Sequence, residues 1–415
     1  MTDSLLDISD RLWRGELDIL DHHPFSFVGR SVEVPRDSFF VASFANVSAV
    51  ATPAGLVLVD SGSQLLAAQA HDAVRGWRQD RVDTIVFSHG HIDHVFGVDL
   101  YEADAAAGGR PAPRVIAHDR VPARFARYRL TAGYNAVINQ RQFGLAGLEW
   151  PVDHRQPDVT YSDRLDLDIG GERFELHHAR GETDDHTWTW IPGRKLLCCG
   201  DFFIWASPNC GNPQKVQRYP REWAIALREM AAVGAETLLP GHGLPISGEA
   251  RVKTALSDAA ELLESLHEQT VALMNQGATL DEVVRTVRAP AHLLEKPYLR
   301  PIYDEPEFIV RNTWRLYGGW YDGNPAHLKP PADAAVAAEI AALAGGPGRL
   351  AARASELAMA GEFRLAGHLA QLAAEAAPND RVIAATRAEV FAAMAAAEAS
   401  VMSRGVFRWA AENPV

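Results

Sequence analysis

The sequence predicts an α/β domain followed by an all-α helical domain. Short apolar runs alternate with helical patterns through the first part of the chain, and strand signals disappear beyond about residue 250. The helical patterns after that point are rich in alanine. The chain has 415 residues, which is enough for two hydrophobic cores. We therefore expect domains at residues 1–250 and 251–415.

The first domain shows an alternating α/β layout. Residues 39–62 predict two short strands joined by a Thr-Pro-Ala-Gly turn, and Asp60 closes the second strand. From about residue 163 the sequence is rich in short strands separated by Gly or Pro. The other predicted elements are helices at 64–78, 98–107 and 221–233 and strands at 82–87, 115–118 and 236–240.

The second domain consists of helical patterns alone. Alanine-rich helices have narrow apolar stripes that pack well as antiparallel hairpins. A proline-containing loop around residues 320–331 is a natural boundary region between modules. The predicted helices include residues 254–275, 280–288, 350–360, 365–376 and 380–403.

Composition and charge exclude several classes of protein. The net charge is −13, and no run of Lys or Arg could follow a phosphate backbone, so we expect no nucleic-acid partner. The first residues lack a signal-peptide pattern, and no stretch approaches eighteen apolar residues. We expect a soluble, cytoplasmic protein without a membrane partner. Cys198 and Cys199 are predicted to be core residues outside any disulfide framework.

A cluster of metal-binding residue types follows the predicted strand at 82–87. Residues 88–94 read Ser-His-Gly-His-Ile-Asp-His, so His89, His91, Asp93 and His94 lie within six positions. Imidazole nitrogens and a carboxylate suit Zn²⁺ or a similar divalent ion. The alternative is a set of satisfied core or surface histidines. Burying four polar groups beside an apolar strand would cost several kcal/mol without such a compensating charge.

Three further residues at strand ends complete a predicted site for two Zn²⁺ or other divalent ions. His186, Asp201 and His242 each lie near a glycine that lets the backbone turn. Asp201 is a better candidate than Cys199. We assign the ligands as His89, His91 and His186 for one ion, Asp93, His94 and His242 for the other, and Asp201 as a bridge.

Two ions at this spacing would activate a shared water as hydroxide, which implies hydrolysis of an ester. Asp93 and Asp60 are the candidate catalytic residues. Asp93 is a metal ligand, and Asp60 is a candidate acceptor that would orient a ligand imidazole. The alternative for Asp60 is a turn cap.

The motif Ser88-His-Gly-His-Ile-Asp-His, with His186, Asp201 and His242 in order, resembles the metallo-β-lactamase superfamily over residues 30–250. The resemblance implies an αββα sandwich with a binuclear zinc site at one sheet edge. Residues 317–326, Tyr-Gly-Gly-Trp-Tyr-Asp-Gly-Asn-Pro-Ala, and 400–405, Ser-Val-Met-Ser-Arg-Gly, resemble the alkylsulfatase branch and its helical dimerisation domain. That implies a homodimer.

The alkylsulfatase resemblance also suggests residues that bind substrate. Residues 131–144 resemble a segment beside the substrate pocket, which implies Tyr134, Asn135 and Arg141 as contacts; the alternative is helix surface or packing. The alkylsulfatases use glutamates where this chain offers His186 and Asp201, and they carry an additional C-terminal domain. By these departures the metal site resembles the general hydrolase pattern more than the sulfatase pattern.

We therefore predict a binuclear zinc-dependent hydrolase acting on a small-molecule ester, with an alkyl or aryl sulfate ester as the leading candidate. A lactonase or thioesterase of the same fold is the first alternative. The second is a noncatalytic interaction protein in which metal only stabilises the fold, although structural zinc sites are normally closed and rich in cysteine.

Overall fold

The structure is a computed structural model that describes residues 3–413. A seven-stranded sheet runs in sequential order, antiparallel from β1 to β4 and parallel from β4 to β7. Its strands are β1 (Arg30–Val34), β2 (Ser38–Ala42), β3 (Val47–Thr52), β4 (Gly55–Val59), β5 (Val82–Val86), β6 (Arg114–His118) and β7 (Val159–Tyr161).

A second sheet of six strands has the order β13-β12-β11-β10-β9-β8. Strands β11 and β12 are parallel, and the remaining neighbours are antiparallel. Its strands are β8 (Arg164–Ile169), β9 (Glu172–His178), β10 (Thr187–Ile191), β11 (Leu196–Gly200), β12 (Thr237–Pro240) and β13 (Ile246–Ser247).

Helices cover the seven-stranded sheet on one face, because alternate strand residues point to the same side. Val41, Leu58 and Ile85 from the strands form one buried cluster with Val74 and Phe125 from helices. The helices of this part of the chain are α1 (Leu5–Trp13), α2 (Ala67–Trp77), α3 (Val98–Ala107), α4 (Val121–Leu130), α5 (Ala132–Phe143) and α6 (Pro220–Ala232).

The rest of the chain is helical. Its α-helices are α7 (Glu249–Asn275), α8 (Leu280–Thr286), α9 (Ala291–Leu294), α10 (Pro306–Gly318), α11 (Asp333–Ala344), α12 (Pro347–Met359), α13 (Phe363–Ala376), α14 (Arg381–Ala397) and α15 (Val401–Glu412). Within residues 3–413, none of the helices combines the length and the apolar composition needed to cross a bilayer.

The chain forms two compact units. The first comprises residues 1–132, 151–278 and 282–319, and the second comprises residues 133–150, 279–281 and 320–415. This division differs from the predicted boundary at residue 250. Helix α7 belongs to the first unit because its apolar face, which includes Leu256 and Leu263, is fully buried beside α6 and β12.

The second unit has its own small cores. Leu350, Ala373 and Ile383 belong to one buried cluster, and Ala354, Ala366 and Val390 belong to another. Small side chains let α12, α13 and α14 pack closely, as the alanine-rich stripes predicted.

The predicted fold class is confirmed: two mixed sheets with helices, followed by an all-helical region. The strands and helices of the first 250 residues lie close to their predicted positions. One difference is that residues 38–59 contain three strands, because β2 precedes the predicted pair and joins β1 and β3. Cys198 and Cys199 are free and buried, as predicted, and Cys210 is also free and buried.

Candidate metal centre

The His-Gly-His-Ile-Asp-His segment forms the loop that follows β5. Phe87 and Ser88 are fully buried, and they carry the chain from the strand into the loop. Loops after β9, β11 and β12 hold Glu182, Asp201 and His242. The side chain of Asn46 donates to the backbone oxygens of Pro240 (3.0 Å) and Gly243 (3.1 Å). The candidate site is therefore built from the ends of strands in both sheets.

Four side chains form what we call the first metal group: His89, His91, Glu182 and Asp201. One ligand atom from each lies within 4.8 Å of the others. Nε2 of His89 lies 3.9 Å from Oε2 of Glu182 and 3.9 Å from Oδ2 of Asp201. Nδ1 of His91 lies 4.0 Å from Oε1 of Glu182. These spacings allow all four atoms to face one ion.

Three side chains form the second metal group: Asp93, His94 and His242. Oδ2 of Asp93 lies 3.6 Å from Nε2 of His94 and 3.5 Å from Nε2 of His242. Asp201 also reaches this group, because its Oδ1 lies 3.4 Å from His94 and its Oδ2 lies 3.2 Å from His242. The carboxylate of Asp201 therefore stands between the two groups, as a bridging ligand would.

The polar atoms that face each other in these groups fit divalent metal ions. Within residues 3–413, His94 Nε2, Glu182 Oε2 and Asp201 Oδ1 are buried and have no hydrogen-bond partner. Leaving one such group unsatisfied costs about 1–3 kcal/mol, and more for a charged group. Nitrogen and oxygen donors of this kind suit zinc and related metals. Two metal ions, one in each group, would satisfy all three atoms.

Asp60, which directly follows β4, contacts His94 of the second metal group and Ser88, which directly precedes the metal-binding loop. Its Oδ2 accepts a hydrogen bond from Nδ1 of His94 at 2.7 Å, and it also accepts one from the Ser88 hydroxyl at 2.7 Å. Its Oδ1 accepts the backbone N–H of Ser88 at 2.7 Å. A carboxylate behind an imidazole orients the ring and leaves Nε2 available to a metal.

His242 is oriented by a backbone carbonyl rather than by a carboxylate. Its Nδ1 donates a short hydrogen bond to the oxygen of Phe44. The rings of Phe25 and Phe44 pack edge-on against the imidazole, with centroids 4.9 Å and 5.6 Å away. Nε2 of His242 therefore points to Asp93 and Asp201.

The surroundings hold the two groups in different charge states. Burial, with the positive charges of Arg124 and Arg218, keeps the pKa of His91 well below its usual value. Burial also keeps the pKa of His89 low. Burial opposes charge on His94 as well, but Asp201, Asp60 and Asp93 outweigh it and raise the pKa of His94 well above its usual value.

Glu182 is the site residue that the sequence analysis missed. The first metal group contains Glu182, and His186 is absent from it. Nε2 of His186 is instead engaged by the backbone N–H of Asp201 at 3.1 Å, and its ring stacks on His89 with centroids 4.3 Å apart. The geometry therefore favours Glu182, rather than the predicted His186, as a ligand of the first ion. Gly181 lies close to both residues, so it could not distinguish Glu182 from His186.

Two glycines allow the backbone to approach this closely. A Cβ at Gly241 would lie 2.0 Å from Oδ1 of Asp201. Gly200 has a φ of +51°, and a Cβ there would lie 2.6 Å from Nε2 of His186 and 2.7 Å from Cβ of Ser88. Any larger residue at either position would displace the side chains of the site.

Two basic residues of the loop after β11 lie beside the metal groups. Nη1 of Arg218 donates to Oε1 of Glu182 at 2.5 Å, and both side chains are buried. The half-buried amine of Lys215 interacts with the charges of Asp93 and Glu182. Burial and Arg218 lower the pKa of Lys215 to about 8, against the effect of the two carboxylates. The lysine therefore remains charged at neutral pH.

The predicted substrate contacts lie on α5, in the second compact unit. Tyr134 is 65% exposed, and Asn135 is buried. The guanidinium of Arg141 lies 5.9 Å from the ring centroid of Trp409 in the same unit. The metal groups belong to the first unit. The role of these three residues in binding substrate stays a prediction.

Comparisons with known families agree with this architecture. Residues 41–242 match the Metallo-beta-lactamase superfamily, and residues 279–414 match the family described as Alkyl sulfatase dimerisation. The chain therefore combines a metallo-β-lactamase superfamily domain with an alkyl sulfatase dimerisation domain, and the predicted resemblance is confirmed.

Similar curated proteins are named alkylsulfatases. A linear primary-alkylsulfatase of Pseudomonas sp. is 27% identical over 368 residues, which cover 82% of this chain and 69% of the relative. An alkyl/aryl-sulfatase of Saccharomyces cerevisiae is 26% identical over 328 residues, which cover 73% of this chain. That match spans 50% of the yeast protein, so the chain corresponds to only half of that relative.

A solved structure shares the fold. The stereoselective inverting sec-alkylsulfatase Pisa1 from Pseudomonas sp. superposes with a TM-score of 0.81 at 24% identity. The match covers 91% of this chain and 64% of that chain.

Proposed function

We propose that this protein is a metal-dependent hydrolase of small sulfate esters that uses two divalent ions, with zinc as the expected metal. The observation that carries the proposal is the pair of metal groups that share Asp201 and present buried, unsatisfied donor atoms to each other. Such an arrangement is typical of two-metal hydrolytic sites. The names of the similar proteins support the choice of sulfate esters.

The residues that would hold the ions follow from the two groups. His89, His91 and Glu182 would hold one ion, and Asp93, His94 and His242 would hold the other, with Asp201 between them. When bound, the ions supply an activated water nucleophile and polarise the ester oxygen. Asp60 would keep His94 in the orientation that this requires.

An anionic substrate suits the basic residues at the site. The charge of Lys215 interacts with the charges of Asp93 and Glu182, one residue from each metal group. Its amine would pair with a sulfate oxygen and orient the ester. Arg218 is committed to Glu182, so we assign it to holding that carboxylate in place.

The helical domain supports a homodimer. The family that residues 279–414 match is described by its role in dimerisation. Leu343, Met359, Leu365 and Val382 are large apolar side chains on the second unit that are more than half exposed. Light scattering across a dilution series should give twice the mass of one chain. A single-chain mass at every concentration would contradict the dimer.

A substrate screen tests the function directly. Zinc-loaded protein is assayed with alkyl sulfates, aryl sulfates, lactones, thioesters and phosphodiesters, and the bound metal is measured in the same samples. We expect turnover of sulfate esters that chelation abolishes and zinc restores. Turnover of lactones or thioesters alone would show that the protein is not a sulfatase. Protein that binds no metal would contradict both kinds of metal-dependent hydrolase.

Lys215→Met supplies the matched variant for this screen. Removing the amine should raise KM for sulfate esters about 10–100-fold, the usual loss for a charge-assisted contact. An uncharged ester should be affected far less. An equal rise in KM for both kinds of substrate would indicate that Lys215 stabilises the loop rather than binding the sulfate group.

A further inference from the structure

A buried ion pair lies directly behind the first metal group and has no part in the chemistry described above. Nε of Arg124, on α4, lies 2.6 Å from Oδ2 of Asp185. Both side chains are almost fully buried, at 2% and 0% exposure. A buried ion pair contributes little net stability because desolvation offsets the attraction. Its position therefore calls for another explanation.

The same carboxylate oxygen reaches the metal-binding loop. Oδ2 of Asp185 accepts the backbone N–H of Gly90 at 3.2 Å, between His89 and His91. Asp185 also follows Glu182 by three residues in the loop after β9. One oxygen thus joins the loop that carries two histidines to the loop that carries their carboxylate partner.

The packing around Gly90 shows how tightly the pair holds this loop. A Cβ at Gly90 would lie 2.9 Å from Cδ of Arg124 and 3.1 Å from Oδ2 of Asp185. The glycine of the His-Gly-His segment is therefore required by the ion pair behind it. Arg124 and Asp185 pack so closely against Gly90 that no side chain fits at this position.

We propose that Asp185 and Arg124 are positioning residues for the first metal group: they hold His89 and His91 at the distance from Glu182 that one ion requires. The inference rests on the proposed function, because it concerns the same two ions. It adds that Asp185 supports the first group through Gly90, whereas Asp60 contacts His94 of the second group directly and reaches His89 only through the Ser88 hydroxyl.

The test is Asp185→Asn, read by zinc binding rather than by activity. Asparagine keeps the volume but loses the charge opposite Arg124. Stepwise zinc titration and metal analysis should show one ion bound about 10–100-fold more weakly, the usual cost of losing such support, while the other ion binds as in the wild type. A purely structural defect would lower thermal stability without distinguishing the two ions.

Asp184→Asn is the matched control. Asp184 pairs with the same arginine and with Arg120, and it is partly exposed. Within residues 3–413 it makes no hydrogen bond to Gly90. The same substitution one residue earlier should leave both ions bound with wild-type affinity.

Double variants identify which ion is weakened. Adding His91→Ala to Asp185→Asn should leave one tightly bound ion, in the second group. Adding His94→Ala instead should leave no tightly bound ion, because the ion of the first group is already weakened. Gly90→Ala is a second route to the same phenotype if Asp185→Asn does not fold. Wild-type affinity for both ions in Asp185→Asn would overturn the inference and leave the proposed function standing. A wild-type protein without bound metal would overturn the proposed function itself.

Discussion

The two metal groups share Asp201 but differ in what supports them. In the first group, the histidine loop is held through a backbone N–H by a carboxylate that pairs with Arg124 of a distant helix. In the second group, Asp60 contacts the imidazole of His94 directly. The first group is therefore supported through the backbone of its loop by a buried ion pair, and the second by a direct contact between residues at the ends of neighbouring strands β4 and β5.

The same contrast appears in the protonation of the ligands. Positive neighbours and burial keep His91 neutral, whereas three carboxylates favour a proton on His94. Metal-binding imidazoles must be unprotonated. The difference shows that two positions built from the same residue types can bind metal with different pH dependence.

Replacement of Asp201 should have the largest effect because both groups lose a ligand. Asp201→Ala should lower kcat/KM for a sulfate ester more than about 10³-fold, which corresponds to several kcal/mol of lost metal-dependent stabilisation. Metal analysis should show that both ions are weakened together. Loss of only one ion would show that Asp201 belongs to a single group.

Glu182→Gln and His186→Gln separate the two candidates for the third ligand of the first group. We expect Glu182→Gln to lose one ion and about 100-fold or more in kcat/KM. His186→Gln should retain both ions, because its Nε2 already accepts the Asp201 N–H. Since Arg218 is buried against Glu182, circular dichroism must first show that the glutamate variant is folded. The reverse pattern would restore His186 as the ligand.

Asp60→Asn should weaken the ion of the second group about 10–100-fold, because the amide orients His94 less strongly than the carboxylate. The first ion should be weakened less, because Asp60 reaches His89 only through the Ser88 hydroxyl. This is the mirror image of Asp185→Asn, and zinc titrations of the two variants form a direct pair. If Asp60→Asn weakened both ions equally, the two supports would not be independent.

The pH dependence of zinc binding should also differ between the two groups. In the second group, Asp201 and Asp93 outweigh burial and raise the pKa of His94 and His242, so zinc must displace protons from these rings as the pH falls. In the first group, burial keeps the pKa of His89 and His91 well below the usual value, and only Glu182 has a pKa that burial raises.

Affinity for the second ion should therefore fall more steeply than affinity for the first as the pH drops from about 8 to 6, because two of its ligands rather than one have a raised pKa. Calorimetric titrations at several pH values, in buffers of different ionisation enthalpy, count these protons. Equal proton release at both steps would contradict the charge states described above.

The contiguous part of the site was predictable because its residues share one loop. His89, His91, Asp93 and His94 were predicted from spacing alone, and the structure places one ligand atom of each in a metal group. Asp201 and His242 were found because each follows a strand that ends near a glycine. The roles of all these residues as ligands remain proposals that the metal analyses test.

The choice between Glu182 and His186 was not predictable from residue type. Histidine is the commoner ligand, but the two residues are only four positions apart, and the path of the loop after β9 decides which side chain contributes to the first metal group. The domain boundary was also not predictable from residue type. The composition changes near residue 250, but helix α7, which begins at that point, buries its apolar face in the first unit.

The sequence by itself determined the alternating α/β and helical regions and the compact metal-binding motif, because local periodicity and short spacings carry that information. Only the tertiary structure decided that Glu182 joins the first group and that Asp185 and Arg124 support it. These contacts join residues 61 to 95 positions apart in the chain. No local sequence pattern indicates which distant strand ends the fold brings together.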